Sequence, residues 1–274
     1  MAENAVCVTC GTQYAEAEAP PAECRICTDE RQYVPPEGQR WTTLAELRRE
    51  HRPELRELEP GLLGIGMEPS FAIGQRALLV QAPDGNVLWD CVALLDDEIG
   101  AAVEHRGGIA AIAISHPHYY TTMVEWGRAF EAPILVHEAE REWIMRPDER
   151  VELWAGETRA LGEGLTLLRL GGHFPGGQVL RWNAGADGRG ALLSGDILQC
   201  LPDRRFVSFM WSYPNLVPLP PAAVERMAAA LEPYAFERIY GAWWDRVVPE
   251  DGKAAVRRSA ERYVRAVTRG LGPA

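Results

Sequence analysis

Ile109-Ala-Ala-Ile-Ala-Ile-Ser115-His116-Pro117-His118-Tyr119-Tyr120-Thr121 is the stretch that decides how this chain is read. The uncharged run from Ile109 to Ile114 has the length and bulk of a buried strand, too short for a helix in its own right. Two histidines follow at once, separated by a proline. A strand fixes its backbone while the loop beyond it exposes side chains, so histidines at a strand end are placed where a sheet builds sites. On a locally extended chain His116 and His118 face the same side, which lets two imidazoles reach one ion.

Two further strand ends carry ligand-type residues. Leu165-Thr-Leu-Leu-Arg-Leu170 runs into Gly171-Gly172-His173-Phe174-Pro175-Gly176-Gly177, and Ala191-Leu-Leu-Ser194 runs into Gly195-Asp196. His173 and Asp196 would complete a four-ligand shell with His116 and His118. Taken singly each piece has another reading, since a histidine beside a strand often serves as a hydrogen-bonded structural residue and a glycine loop as a turn or anion nest. It is their order along the chain that joins them.

In that order the pieces resemble the metallo-β-lactamase superfamily, whose members show an apolar strand into HxHxDH, a Gly-His-x-Pro-Gly loop, a Gly-Asp after a strand and a final His after a short strand. The resemblance covers about residues 60 to 270 and includes Asn86-Val-Leu-Trp-Asp90-Cys91, similar to the family's early strand ending in aspartate. It implies a mixed α/β (α+β) fold, a four-layer αββα sandwich with its site at one edge between the sheets. It also implies His116, His118, His173 and the usually bridging Asp196 as ligands of the first metal. The departures concern the second metal: Tyr120 stands where the family has its Asp, Thr121 where it has the next His, and Trp243 or Trp244 where it has the last His. Neutral tyrosine, threonine and tryptophan are poor ligands for a divalent ion, so one ion is expected rather than two. Zinc is the default for the remaining set; without one His it becomes the two-His, one-carboxylate face that suits ferrous iron.

The N-terminal segment is a separate matter. Cys7-Val-Thr-Cys10 and Cys24-Arg-Ile-Cys27 are separated by 13 residues, and Pro35-Pro36-Glu37-Gly38 ends the segment. It has too few apolar residues for a core, so four thiolates on one structural zinc are expected to hold it together. Residues 1 to 38 are read as a zinc-ribbon-like (rubredoxin-like) module, and residues 39 to 274 as the metallo-β-lactamase-like domain. Cys91 and Cys200 are expected to be buried, inert thiols.

A chain of 274 residues with 47% hydrophobic and 24% charged residues is long and apolar enough for a folded core. A net charge of −11 disfavours an electrostatic grip on nucleic acid or anionic lipid. With no apolar stretch of spanning length and no basic, apolar leader, a cytoplasmic protein off the membrane is expected. A homo-oligomer or a protein partner is left open.

Beyond the site, the pattern predicts a capped helix from Thr42-Thr43-Leu44, and a hairpin at Asp84-Gly85 between Ala77–Gln81 and Val87–Cys91. Helices are expected over 96–105, 124–130, 138–145, 221–231 and 252–267, and strands at 134–136, 179–182 and 238–240. Residues 201 to 221 are expected to form an irregular lid or interaction surface.

The function expected is a mononuclear metal-dependent hydrolase-like activity on an unspecified small molecule. The Tyr119 or Tyr120 hydroxyl is a candidate oxyanion donor or general acid. Asp245 is a candidate base, with a helix-cap carboxylate as its other reading. Trp211, Tyr213, Trp243 and Trp244 form a substrate wall or simply pack. Two alternatives stand beside this: a mononuclear non-haem iron enzyme resembling the persulfide dioxygenases, and a non-catalytic metal-binding or interaction protein. His51, His105 and His137 are read as surface or structural.

Overall fold

The computed structural model describes residues 3 to 269, and contacts divide the chain after Ala155 into two units. In the first, β1 (Val6–Cys7) pairs antiparallel with β2 (Trp41–Thr42) and closes the cysteine-bearing segment. Helix α1 (Leu44–Glu50) starts where the sequence placed it, with Thr43 as its N-cap. The Thr43 hydroxyl accepts from the Glu46 N–H at 3.2 Å and the Glu46 carboxylate accepts from the Thr43 N–H at 3.2 Å, a reciprocal capping box.

A sheet of seven strands among the described residues follows, in chain order from edge to edge. Its strands are β3 (Arg52–Glu59), β4 (Leu62–Glu68), β5 (Ala77–Val80), β6 (Val87–Trp89), β7 (Ala111–Ala113), β8 (Ile134–His137) and β9 (Val151–Trp154). The strands β3 to β6 are antiparallel neighbours, and β5 and β6 flank the Asp84-Gly85 turn. From β6 to β9 the pairing is parallel. Parallel neighbours need crossovers. Helix α2 (Asp97–Glu104) joins β6 to β7, capped by the Asp96 carboxylate on the Ile99 N–H at 2.9 Å. Helix α3 (Met123–Ala129) joins β7 to β8.

Two expectations differ in this unit. The helix expected over 138–145 is a 3-10 segment, Glu138–Trp143. His137 caps it, its Nδ1 accepting from the Ala139 N–H at 3.2 Å, and Pro147, which disfavours helix at Arg146, limits its length. The β3–β4 hairpin was not anticipated, because β3 is an edge strand of mostly charged residues whose alternation is hidden by the charges that protect an edge.

The second unit holds a six-stranded sheet among the described residues. In chain order it contributes β10 (Thr158–Ala160), β11 (Leu165–Arg169), β12 (Gln178–Trp182) and β13 (Ala191–Gly195). Two small hairpins then occupy the segment expected to be irregular: β14 (Gln199–Cys200) with β15 (Val207–Ser208), and β16 (Met210–Ser212) with β17 (Val217–Pro218). Helix α4 (Pro221–Leu231), β18 (Arg238–Gly241), β19 (Val247–Val248) and α5 (Gly252–Arg269) complete it. The order β10-β11-β12-β13-β18-β19 is antiparallel except for the parallel pair β13–β18. Val224, Met227 and Leu231 of α4 and Val256 and Ala260 of α5 pack on Leu168, Val179, Leu192 and Ile239 of the sheet. Burying each large side chain contributes roughly 1.5–3 kcal/mol, so this face anchors the loops at the strand ends. Among the described residues no helix is long and apolar enough to cross a membrane.

The capping box gives a direct check on this description. Thr43→Ala is expected to cost about 1 kcal/mol, read as a lower urea midpoint at unchanged slope.

Candidate metal centres

Side chains of the kind and closeness that could hold a metal ion form one group in the first unit, Cys7, Cys10, Cys24 and Cys27; His116 and His118 of the same unit, and His173 and Asp196 of the second, are the other ligand-type residues at strand ends. All eight are buried.

In the first group the sulfurs lie within 4.8 Å of one another. Cys7 and Cys27 approach at 3.6 Å, as do Cys10 and Cys24, and none is in a disulfide. The backbone turns that bring each pair together follow from the spacing. The Gly11 N–H donates to the Cys7 carbonyl at 2.8 Å, with Gly11 at φ +81°, and the Thr28 N–H donates to the Cys24 carbonyl at 3.0 Å. Gln39 Nε2 donates to Cys7 Sγ at 3.1 Å and the Tyr14 hydroxyl to Cys24 Sγ at 3.4 Å. Hydrogen bonding, from Cys10 first, holds the Cys7 and Cys24 thiols below their ordinary pKa. Burial pushes Cys10 up. Such a crowd of sulfurs fits one tetrahedral zinc, whose charge offsets that of the thiolates.

In the first unit the carboxyl ends of three adjacent parallel strands lie side by side, the place where open α/β sheets build sites. Just beyond β6, Asp90 adopts φ +59° and its buried carboxylate accepts the Ser115 N–H at 2.7 Å. That bond fixes the backbone one residue before His116. The Ser115 hydroxyl meets His116 Nδ1 at 3.0 Å, so Nε2 is the ring nitrogen that an ion would take. The chain is not extended through His118 as the sequence reading supposed. It turns at Pro117 into a 3-10 turn, Pro117–Tyr119, because proline fixes φ and suits the first helical position. The two imidazoles still converge, with ring centroids 4.9 Å apart.

Tyr120 and Thr121 come next and both are buried. Burial raises the Tyr120 pKa well above its usual value, so this side chain stays protonated. Its hydroxyl has no hydrogen-bond partner among the described residues. Around it and Thr121 stand Thr12, Gln13, Met145 and Arg146, with no room for a water molecule between them. Thr121 sits at φ +39°, an uncommon setting for a β-branched residue.

In the second unit the Gly171–Gly177 loop folds back on itself. The Leu170 and Gly171 N–H groups both donate to the Gly177 carbonyl, at 2.8 and 2.9 Å. A Cβ on Gly172, at φ +82°, would lie 2.6 Å from Met227 Sδ, so this loop against α4 requires glycine there. His173 Nδ1 donates to the Trp211 carbonyl at 2.6 Å, which sets the tautomer and gives Nε2 the lone pair. Asp196 follows the end of β13, where Gly195 takes φ +55°. Tyr213 lies 5.6 Å from His173, ring to ring, and burial and then the Asp196 carboxylate raise its pKa. Asp245 is exposed on the turn after β18 and pairs with Arg246 at 3.4 Å. Trp243 and Trp244 precede it, half-buried.

Sequence reading missed the role of Trp211. It was weighed for its ring, whereas its backbone carbonyl orients His173, and no sequence pattern encodes a carbonyl's direction.

A Bacillus subtilis (strain 168) protein, uncharacterized YmaE, is 50% identical over 268 residues, covering 97% of each chain. This chain belongs to the YmaE family. No family model matches it. Among solved structures it is similar to the metallo-β-lactamase VMB-1 (TM-score 0.58, 12% identity, 79% of this chain and 98% of that one). It is also similar to the mono-zinc form of FIM-1 from Pseudomonas aeruginosa (TM-score 0.55, 14% identity, 77% and 96%). A Cronobacter sakazakii metallo-β-lactamase gives TM-score 0.50 at 20% identity over 80% and 93%. At these identities the likeness speaks for the fold, and that fold is the metallo-β-lactamase one.

Asp90 offers a test of this geometry in the YmaE family. Asp90→Ala leaves the buried Ser115 N–H without its acceptor, and a loss of about 1–3 kcal/mol in thermal or urea stability is expected. Stability unchanged in the variant would contradict the buttressing role. Gly172→Ala is expected to destabilise by a similar amount, about 1–3 kcal/mol, because the new methyl meets Met227 at a left-handed φ.

Proposed function

We propose that this YmaE-family protein is a metal-dependent, hydrolase-like protein with one ion held by His116, His118, His173 and Asp196. The observation that carries the reading is the state of each unit's donors: two buried imidazoles in the first, His116 with Nδ1 engaged, and in the second a buried imidazole with Nδ1 engaged and a buried carboxylate, all at strand ends. Such a set fits zinc, and it also fits ferrous iron. The mono-zinc form of one structural relative is in keeping with a single ion on this fold.

When bound, zinc there would supply Lewis acidity toward a carbonyl or phosphoryl oxygen and bring the pKa of a water toward ~7. The chain's own part is orientation and exclusion. Asp90 and Ser115 hold His116, the Trp211 carbonyl holds His173, and the buried setting strengthens every charge interaction within it. Tyr120, kept neutral by burial, remains the candidate proton or oxyanion donor, and Asp245 the candidate base. On this reading the N-terminal residues 1 to 38 are a zinc-ribbon-like module with its own structural ion, and 39 to 274 the metallo-β-lactamase-like domain.

Elemental analysis of purified protein is expected to give about two ions per chain. Cys7→Ser with Cys10→Ser removes one, and His116→Ala with His118→Ala removes the other together with hydrolysis of nitrophenyl esters and phosphodiesters. Metal at the cysteines alone would overturn the reading. Iron as the second ion, with oxygen consumed on adding a persulfide, would instead support the dioxygenase-like alternative that the same donor set allows.

A further inference from the structure

We propose that the four-cysteine knuckle clamps the loop carrying His116 and His118, and that Gln13 is the positioning residue through which it acts. Gln13 lies three residues beyond Cys10 and is tied to the cysteines on one side. The Cys10 thiol meets the Thr12 hydroxyl at 3.4 Å, the Cys7 N–H donates to the Thr12 carbonyl at 2.9 Å, and Gln13 bridges to Val6 of β1. On its other side Gln13 reaches the loop. Its N–H donates to the Thr121 carbonyl at 3.0 Å, three residues after His118.

The side chain of Gln13, 4% exposed, extends the same connection. Its Nε2 donates to Glu125 of α3 at 3.3 Å, and its Oε1 accepts from Arg146, which also pairs with Glu125 at 2.5 Å. The backbone around it is held in parallel, since the Ala15 N–H donates to the Met145 carbonyl at 3.2 Å. Loop, helix and the segment after β8 are therefore joined at one buried amide. Thr121 is held at a φ that costs about 1–3 kcal/mol, and such strain persists only where surroundings over-determine it. The Gln13 bond and the close approach of Gly11, whose Cβ would stand 3.2 Å from Thr121 Cγ2, are those surroundings.

It follows that ordering the knuckle orders the turn that places His118. An ion at the cysteines and an ion at the histidines then favour each other although they share no ligand, which is coupling between distinct sites. Only the second half of this rests on the proposed His/Asp ion. The clamp itself does not.

The test uses the 274-residue chain with zinc at the cysteines and no ion at the histidines, and two readouts. Gln13→Ala is expected to speed amide exchange at Tyr119 and Tyr120 about tenfold or more, and to weaken Co2+ binding at the histidines about 5- to 100-fold. Arg25→Ala is the matched control, because Arg25 bonds Glu142 from the same knuckle at 2.6 Å without touching the loop. Both readouts are expected to stay within about twofold in that variant. Exchange unchanged in Gln13→Ala, or raised equally by Arg25→Ala, would overturn the clamp. Should Gln13→Ala not fold, Gln13→Glu decides by the same rule: it keeps the acceptor for Arg146 but loses the donor to Glu125, so faster exchange than in the unmodified protein is expected and equal exchange refutes. If Gln13 governs exchange yet no ion binds at His116 and His118, the proposed function fails and the clamp stands; an ion bound with exchange indifferent to Gln13 gives the reverse.

Discussion

The buried bond from the Ser115 N–H to the Asp90 carboxylate links the ends of two neighbouring parallel strands, β6 and β7, at the point where the chain leaves the sheet. A backbone amide at a strand end has lost its ladder partner, and left buried it would cost about 1–3 kcal/mol. Asp90 meets that need and, in doing so, fixes the direction in which Ser115 and His116 depart. The proposed centre in the first unit is thus a consequence of how a parallel sheet must end. In the second unit His173 is placed by different means, a glycine loop closed on Gly177 and a carbonyl from β16.

Most of this was legible in the residues because the site hangs on local patterns. The apolar run to Ile114, the glycines around His173, Gly195-Asp196, the Thr43 cap and the Asp84-Gly85 turn each state their own geometry within a few residues. What was not legible depends on partners distant in sequence or on the backbone. The 3-10 turn at Pro117 replaced an extended chain, a difference of local dihedrals that the His-Pro-His spelling leaves open. The edge strand β3 reads as a charged surface because edge protection and solvent exposure call for the same residues. Segment 201 to 221 has no long period because its strands are only two or three residues each.

Tyr120, Thr121 and the four-cysteine segment belong together physically. A loop with Asp and His at the positions of Tyr120 and Thr121 would be ordered by coordinating an ion; Tyr120 and Thr121 have no such partner chemistry. The same loop here is ordered by protein contacts instead: Gln13 on the Thr121 carbonyl, Thr12 and Met145 around Tyr120, and Gly11 against the Thr121 methyl. Contacts of this sort work only if the contacting segment is itself rigid. Residues 3 to 38 are too poor in apolar side chains to be so from packing alone, which is why four convergent sulfurs matter to a loop they never touch.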